Sequence, residues 1–320
     1  MRARSFWAIA PGKGEIRNED LQPPGPNDVL LHTLASGVSR GTEALVFAGR
    51  VPQSQYAAMR APLMGGAFPF PVKYGYSAVG LTDDGRRVFA LHPHQDRFVA
   101  PAAMCIAVPD TVPTRRAVLA ANMETALNIL WDAAPLVAER MLVIGAGVVG
   151  LLTASLLARV PAARVTIVDI RPERAAISER LGCGFAPPGE APRDQELVVH
   201  ASATEAGLRL ALASAAFEAR ILEASWFGDQ IAAVPFGEDF HAKRLRVTAT
   251  QVGAIATAMR GRRSQAERLA SALSLLADPI YDLCLEAPTR FEDMPEKMPR
   301  ILSGHGLCHP ILYGSSECSV

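Results

Sequence analysis

Residues 141–150, MLVIGAGVVG, constrain the chain more than any other stretch, because an apolar strand runs directly into a GxGxxG turn. Residues 151–158 are small and apolar, as a helix packed back onto that strand must be. A second strand reading, residues 165–169, ends on the acid Asp169, roughly twenty positions after the last glycine, the interval such folds use. Gly145 allows the tight turn, Gly147 lets backbone approach a pyrophosphate, and Gly150 lets helix and strand pack closely. Val148 and Val149 open the helix, whose free N–H groups and positive dipole face the phosphates. Together the glycine turn, the two strands and the acid predict a site for a nicotinamide dinucleotide.

Asp169 also bears on which dinucleotide. Its carboxylate accepts hydrogen bonds from ribose hydroxyls and repels a 2′-phosphate, so NAD(H) is favoured and NADP(H) is the alternative. Arg171 and Arg174 follow closely; they read as helix-start residues or as groups lying along the adenosine.

A length of 320 residues allows about two domains and a substantial core. Hydrophobic content of 49% with 20% charged residues is a globular profile. Thirty-two basic residues balance thirty-two acidic ones, so no net field draws the chain to nucleic acid or to an anionic membrane. The N-terminal apolar patch is too short for a secretory signal. Residues 141–158 are uncharged and long enough to suggest a membrane span, but three glycines in a strand–turn–helix pattern favour a buried unit. Five cysteines, none in a CxxC pair, form neither a disulfide framework nor a zinc knuckle. A cytoplasmic protein with a small-molecule substrate, and no nucleic-acid or membrane partner, is the expectation.

Up to about residue 122 the chain reads as short strands separated by turn chemistry, including residues 28–34 and a hairpin over 80–90 around Asp84-Gly85. Residues 51–70 read as a loop or short-helix excursion. Helices and strands then alternate. Helices are expected over 120–134, 172–181 and 206–216, and strands over 141–144, 165–169, 197–201, 220–224 and 245–250, which makes a doubly wound parallel sheet. In the tail, residues 264–276 and 294–302 read as helices, and 281–285 and 310–313 as strands. The fold class is therefore α/β, with a doubly wound (Rossmann) cofactor domain over 123–252. A β-rich domain is built from 1–122 and 253–320.

This arrangement resembles the medium-chain dehydrogenase/reductase superfamily over nearly the whole chain, with the β-rich domain in the place of its GroES-like catalytic domain. The resemblance rests on residues 35–43 (ASGVSRGTE), 75–80 (GYSAVG), 121–127 (ANMETAL) and 168–174 (VDIRPER). In the zinc-type members the first two segments carry the catalytic metal ligands. Here Ser39 or Arg40, depending on register, stands in place of the cysteine, and Tyr76 and Ser77 replace histidine and glutamate. The four-cysteine structural lobe is missing. Hydroxyls are poor zinc donors, so the resemblance implies a branch with no zinc. The segments 39–43, 49–50 and 75–76 are also similar to the bacteriochlorophyllide dehydrogenases of pigment synthesis. A homodimer is expected by analogy alone.

Without a Lewis acid, hydroxyls must stabilise charge on the substrate oxygen. The comparison places Tyr76, Ser39, Thr42 and Glu124 around that oxygen. Tyr76 is the preferred proton donor, although a packing aromatic would look the same. Thr42 either relays a proton or bonds its own turn, Glu43 reads as an ion-pair partner, and Glu124 either serves the site or complements a helix dipole. His92 and His94 have ligand-like spacing, and a hydrogen bond from His94 to substrate is the stronger reading of the pair. Asn122 and Asn128 cap their helix or face the cleft. Ser202, Gln251 and Gly253 follow strand ends, where ligands bind in such sheets, and Ser202 joins the cofactor residues.

The reading is of an NAD(H)-preferring, zinc-independent oxidoreductase. It moves a hydride between nicotinamide and an alcohol or carbonyl substrate in the inter-domain cleft. The alternatives are an NADPH-dependent quinone or enoyl-type reductase and a non-catalytic dinucleotide-binding protein.

Overall fold

The glycine-rich segment forms the strand–turn–helix its sequence predicts: strand Arg140–Ile144, then helix Val148–Leu157 with Gly147 as its N-cap. A computed structural model describes residues 1–314, which divide into two compact units. One comprises 1–121 with 269–314 among the described residues, and the other 122–268.

The second unit is built on a six-stranded sheet. Its order is Gly184–Ala186, Arg164–Val168, Arg140–Ile144, Gln195–His200, Ala215–Glu223, Arg246–Ala249, with every neighbouring pair parallel. In chain order this is 3-2-1-4-5-6, the doubly wound dinucleotide-binding topology. The central strands are unbroken apolar runs because helices cover both faces. Met141, Leu142, Val143, Leu197, Val198 and Val199 are all fully buried. The strand order reverses between Arg140–Ile144 and Gln195–His200, and the ends of these two strands border the crevice where such sheets hold ligands. Among the described residues no helix is long and apolar enough to cross a membrane. The apolar run at 141–158 is spent on one strand and one helix.

The first unit is β-rich. Its longest strand, Asp28–Val38, pairs antiparallel with Ala78–Thr82, Arg97–Pro101 and His309–Leu312. The expected hairpin forms between Ala78–Thr82 and Arg87–Ala90, and Gly85 takes the positive φ its turn needs. Strand Arg2–Ala10, which holds the N-terminal apolar patch, pairs with Lys13–Asp20 along almost its whole length.

Two readings change. Residues 281–285 are not a strand: Pro279–Cys284 is a 3₁₀ helix, because Asp278 caps the Ile280 N–H and Pro279 fits the first turn. The partner of His309–Leu312 on that side is Thr289–Arg290. Helix Arg40–Phe47 starts at Ser39. The second unit also extends through Arg268 rather than stopping at 252. The buried Arg268 guanidinium is the physical reason, since it bonds Glu124, Asn128 and the carbonyls of Val252 and Ala254, drawing 253–268 onto helix Ala120–Ala133.

Candidate active site and dinucleotide site

In the first unit, a chain turn and a helix start bring Ser39, Thr42 and Tyr76 together. Ser39 caps the helix that carries Thr42 one turn on, and Tyr76 follows Gly75, whose φ of 116° turns the chain just before strand Ala78–Thr82. The Tyr76 hydroxyl donates to Ser39 Oγ at 2.6 Å and also bonds the Thr42 hydroxyl. Desolvation and the nearby Glu43 carboxylate push the Tyr76 phenol up to about 12, against the two hydroxyl hydrogen bonds. It therefore keeps its proton at neutral pH. Arg40, the other candidate in this register, points elsewhere and binds the carbonyls of Ile301 and Gly306. Thr42 thus bonds the phenol.

Behind these hydroxyls lies a buried polar chain. Glu43 accepts the Ser39 N–H at 2.7 Å through Oε1 and meets His94 Nε2 at 3.0 Å through Oε2. The other ring nitrogen of His94 lies 2.7 Å from Ser36 Oγ, which is 2.8 Å from the Tyr313 hydroxyl. His94 is 1% exposed with both nitrogens engaged, so it is an internal link and offers no hydrogen bond to a substrate. His92 stacks on Phe98 with ring centroids 3.6 Å apart and bonds the Pro93 carbonyl, and burial pushes its pKa down to about 3. Sequence spacing had suggested the histidines, but not that both are walled in by the strands around them.

The donor set does not suit zinc. At the positions where the sequence resemblance expects zinc ligands stand Ser39 or Arg40, Tyr76 and Ser77, and Ser77 Oγ is committed to the Val118 carbonyl at 2.5 Å. Among the described residues no three His, Cys, Asp or Glu side chains come together as a metal site. Cys105, Cys183, Cys284 and Cys308 are free thiols; Cys318 lies outside the described residues.

Glu124 belongs to the second unit. Burial raises its pKa against the pull of Arg268, whose Nε lies 3.0 Å from Oε1. Asn128, on the same helix, spends its Oδ1 on Arg268 and on the Ala256 N–H. Asn122 is buried. These side chains stitch their unit together. Gln251 closes a local turn by accepting the Gly253 N–H.

The dinucleotide residues gather at the crevice edge of the parallel sheet. Gly145 has φ +107°, and a Cβ there would sit 2.8 Å from the Ala201 carbonyl carbon and Ser202 nitrogen. A Cβ on Gly150 would lie 1.9 Å from the Gly145 oxygen. A Cβ on Gly147 would meet nothing within 4 Å, so this position faces open space at the head of the helix begun by Val148 and Val149, as a phosphate cradle requires. Asp169 is fixed there by two backbone donors, Ala146 N–H at 2.6 Å and Arg171 N–H at 2.9 Å. These residues fit a dinucleotide. Arg174 is buried in the short helix Pro172–Arg174, with Ser178 Oγ on its carbonyl. Ser202 belongs to a side-chain chain that sequence reading missed: Glu223, His200, Ser202 and Thr204 bond in succession. An HxS sequence at a strand end was its one visible signal.

No family model matches the chain. Among curated proteins, the 2-desacetyl-2-hydroxyethyl bacteriochlorophyllide A dehydrogenase of Cereibacter sphaeroides is 29% identical over 115 residues, 36% of this chain and 32% of that protein. The matched region is thus about a third of either chain. Several solved structures are similar over nearly their full length. A dehydrogenase of Sinorhizobium meliloti described as zinc-binding, bound to NADP, has a TM-score of 0.77 at 16% identity, covering 98% of this chain and 99% of that one. An alcohol dehydrogenase of Escherichia coli complexed with NADH gives the same values. L-idonate 5-dehydrogenase of Escherichia coli reaches 0.79 at 12% identity, covering 98% of each chain. The chain folds as the medium-chain dehydrogenases do, with a GroES-like β-rich unit and a doubly wound unit of Rossmann type.

Proposed function

We propose that the chain is an NAD(H)-preferring oxidoreductase that works without zinc on an alcohol or carbonyl substrate. Asp169 is the observation that carries the cofactor reading. It is held at the end of its strand by two N–H donors beside the glycine turn, where its remaining lone pairs suit ribose hydroxyls and its charge opposes a 2′-phosphate. When bound, nicotinamide supplies or accepts the hydride. The S. meliloti neighbour binds NADP and the E. coli one NADH, so fold alone leaves the choice to Asp169.

The hydroxyls of the first unit take the place of a Lewis acid. Tyr76 donates its proton to the substrate oxygen in reduction and recovers it in oxidation, while partly exposed Thr42, bonded to the same phenol oxygen, relays a replacement proton from solvent and passes its own on. Ser39 Oγ accepts the phenol's hydrogen bond between turnovers. Burial and then the neighbouring Glu43 carboxylate push the phenol up to about 12, so it is protonated, the state a donor needs.

NADH and NADPH affinity, metal content by elemental mass spectrometry, and turnover on ketone, alcohol and enone panels test this reading. Tighter NADH binding, ketone or alcohol turnover and near-zero metal support it. One tightly held zinc per chain, or NADPH-linked enone reduction, would overturn it. Tight NADH binding with no turnover on any panel would point to the non-catalytic alternative.

A homodimer joined through the second unit is part of the same proposal. All four residues of edge strand Arg246–Ala249 are exposed, and within the described sheet it pairs only with Ala215–Glu223. The Thr250 N–H bonds Glu223 inward, so by alternation the Val247 N–H points outward. Light scattering should give twice the chain mass, and Val247→Pro should give a monomer. A monomeric wild type would refute it.

A further inference from the structure

The sheet's reversal point carries a hydroxyl of fixed polarity. Glu223 ends its strand with one carboxylate oxygen on the Ser225 N–H at 2.7 Å and the other 2.6 Å from His200 Nδ1. That anion places the proton of a neutral, fully buried His200 on Nδ1, and in this form Nε2 is an acceptor. Ser202 Oγ, 2.7 Å away, must donate there. Thr204 Oγ1 accepts the Gly207 N–H at 3.1 Å as a helix cap, and with the Ser202 proton spent on His200 the Thr204 hydroxyl donates to Ser202 Oγ at 2.9 Å. The Ser202 oxygen thus gives its only proton, accepts one bond and retains one lone pair.

The sheet order gives that lone pair an address. Asp169 follows the strand on one side of the glycine turn, and Ser202 follows the strand on the other, roughly two strand spacings or ~10 Å away. Gly145 lies so close to Ser202 that no Cβ fits between them. A dinucleotide with its adenosine ribose on Asp169 and its pyrophosphate over the turn extends its other half toward Ser202. We propose that Ser202 Oγ is a dedicated hydrogen-bond acceptor for a donor on the nicotinamide half, a ribose hydroxyl or the carboxamide N–H. His200 and Glu223 are its positioning residues. This assignment rests on the dinucleotide reading.

NADH and ADP serve as paired probes, since ADP lacks the nicotinamide half. Dissociation constants are measured for wild type, Ser202→Ala, His200→Gln and the double variant. Ser202→Ala should weaken NADH about tenfold and leave ADP unchanged. His200→Gln should weaken NADH by a smaller factor, and the double variant should match Ser202→Ala. Equal weakening of both probes, or unchanged NADH affinity in Ser202→Ala, overturns the assignment. A wild type that binds neither probe overturns the dinucleotide reading and the assignment with it. Because Ser202 is partly exposed, its variant tests the point even if the buried His200 variant fails to fold.

Discussion

Tyr76 donates a 2.6 Å hydrogen bond to Ser39, so two residues that the resemblance to zinc-type dehydrogenases sets at ligand positions are partners of one another. A pair bonded in this way spends its hydroxyls on each other. Thr42, on the same phenol oxygen, extends the pair into a short line of hydroxyls.

Tyr76→Phe should lower kcat by roughly 10²-fold, the usual scale for losing a positioned proton donor, with KM changed little. The same variant tests the phenol's acidity. A pKa raised from 10 to about 12 means the folded protein holds this proton more tightly than the unfolded chain. The stability it adds is fully present below pH 10 and is lost as pH rises toward 12. An ultraviolet titration of wild type minus Tyr76→Phe should show one tyrosine ionising near 12. A difference curve centred at 10 would contradict the packing around Tyr76.

Glycine substitutions should separate folding from binding. Gly150→Ala puts a methyl 1.9 Å from the Gly145 oxygen, and the cost should be about 3 kcal/mol or more, read as a lower denaturant midpoint. Gly147→Ala meets nothing within 4 Å and should melt like wild type. Its methyl would occupy space proposed for the pyrophosphate, so NADH affinity should fall at least tenfold. Equal NADH affinity in Gly147→Ala and wild type would remove the phosphate site from this turn.

Much of this was legible in the sequence because parallel strands and glycine turns leave local signals. Residues 141–144 form an unbroken apolar run, Gly145 must take a positive φ, and Asp169 falls at the required interval. The buried links were not legible. Glu43 and His94 lie 51 positions apart and meet only because the surrounding strands fold them together. Arg268 looks like an exposed charge in an amphipathic helix, yet it reaches Glu124 across 144 positions. Residues 281–285 carry apolar strand formers, but the Asp278-Pro279 cap decides their conformation.

Asp169→Asn should narrow the preference for NADH over NADPH. The Ala146 and Arg171 N–H groups use different carboxylate oxygens, so Asn keeps an acceptor for one of them and removes the charge that repels a 2′-phosphate. NADPH affinity should rise roughly tenfold or more while NADH affinity falls. An unchanged ratio would assign cofactor choice to Arg171 or Arg174 instead.

Arg268→Ala should be the most destabilising change in the second unit outside its core. The guanidinium is 2% exposed and holds Glu124, Asn128 and two backbone carbonyls, so its loss strands a buried carboxylate and several acceptors. Removing one partner of such a pair costs roughly 3–5 kcal/mol. Arg268→Ala with Glu124→Gln removes the stranded charge as well and should recover part of that loss, a coupling a double-mutant cycle in urea measures directly. Additive effects in that cycle would mean that the two residues stabilise the unit independently, and would leave the carboxylate of Glu124 available for chemistry.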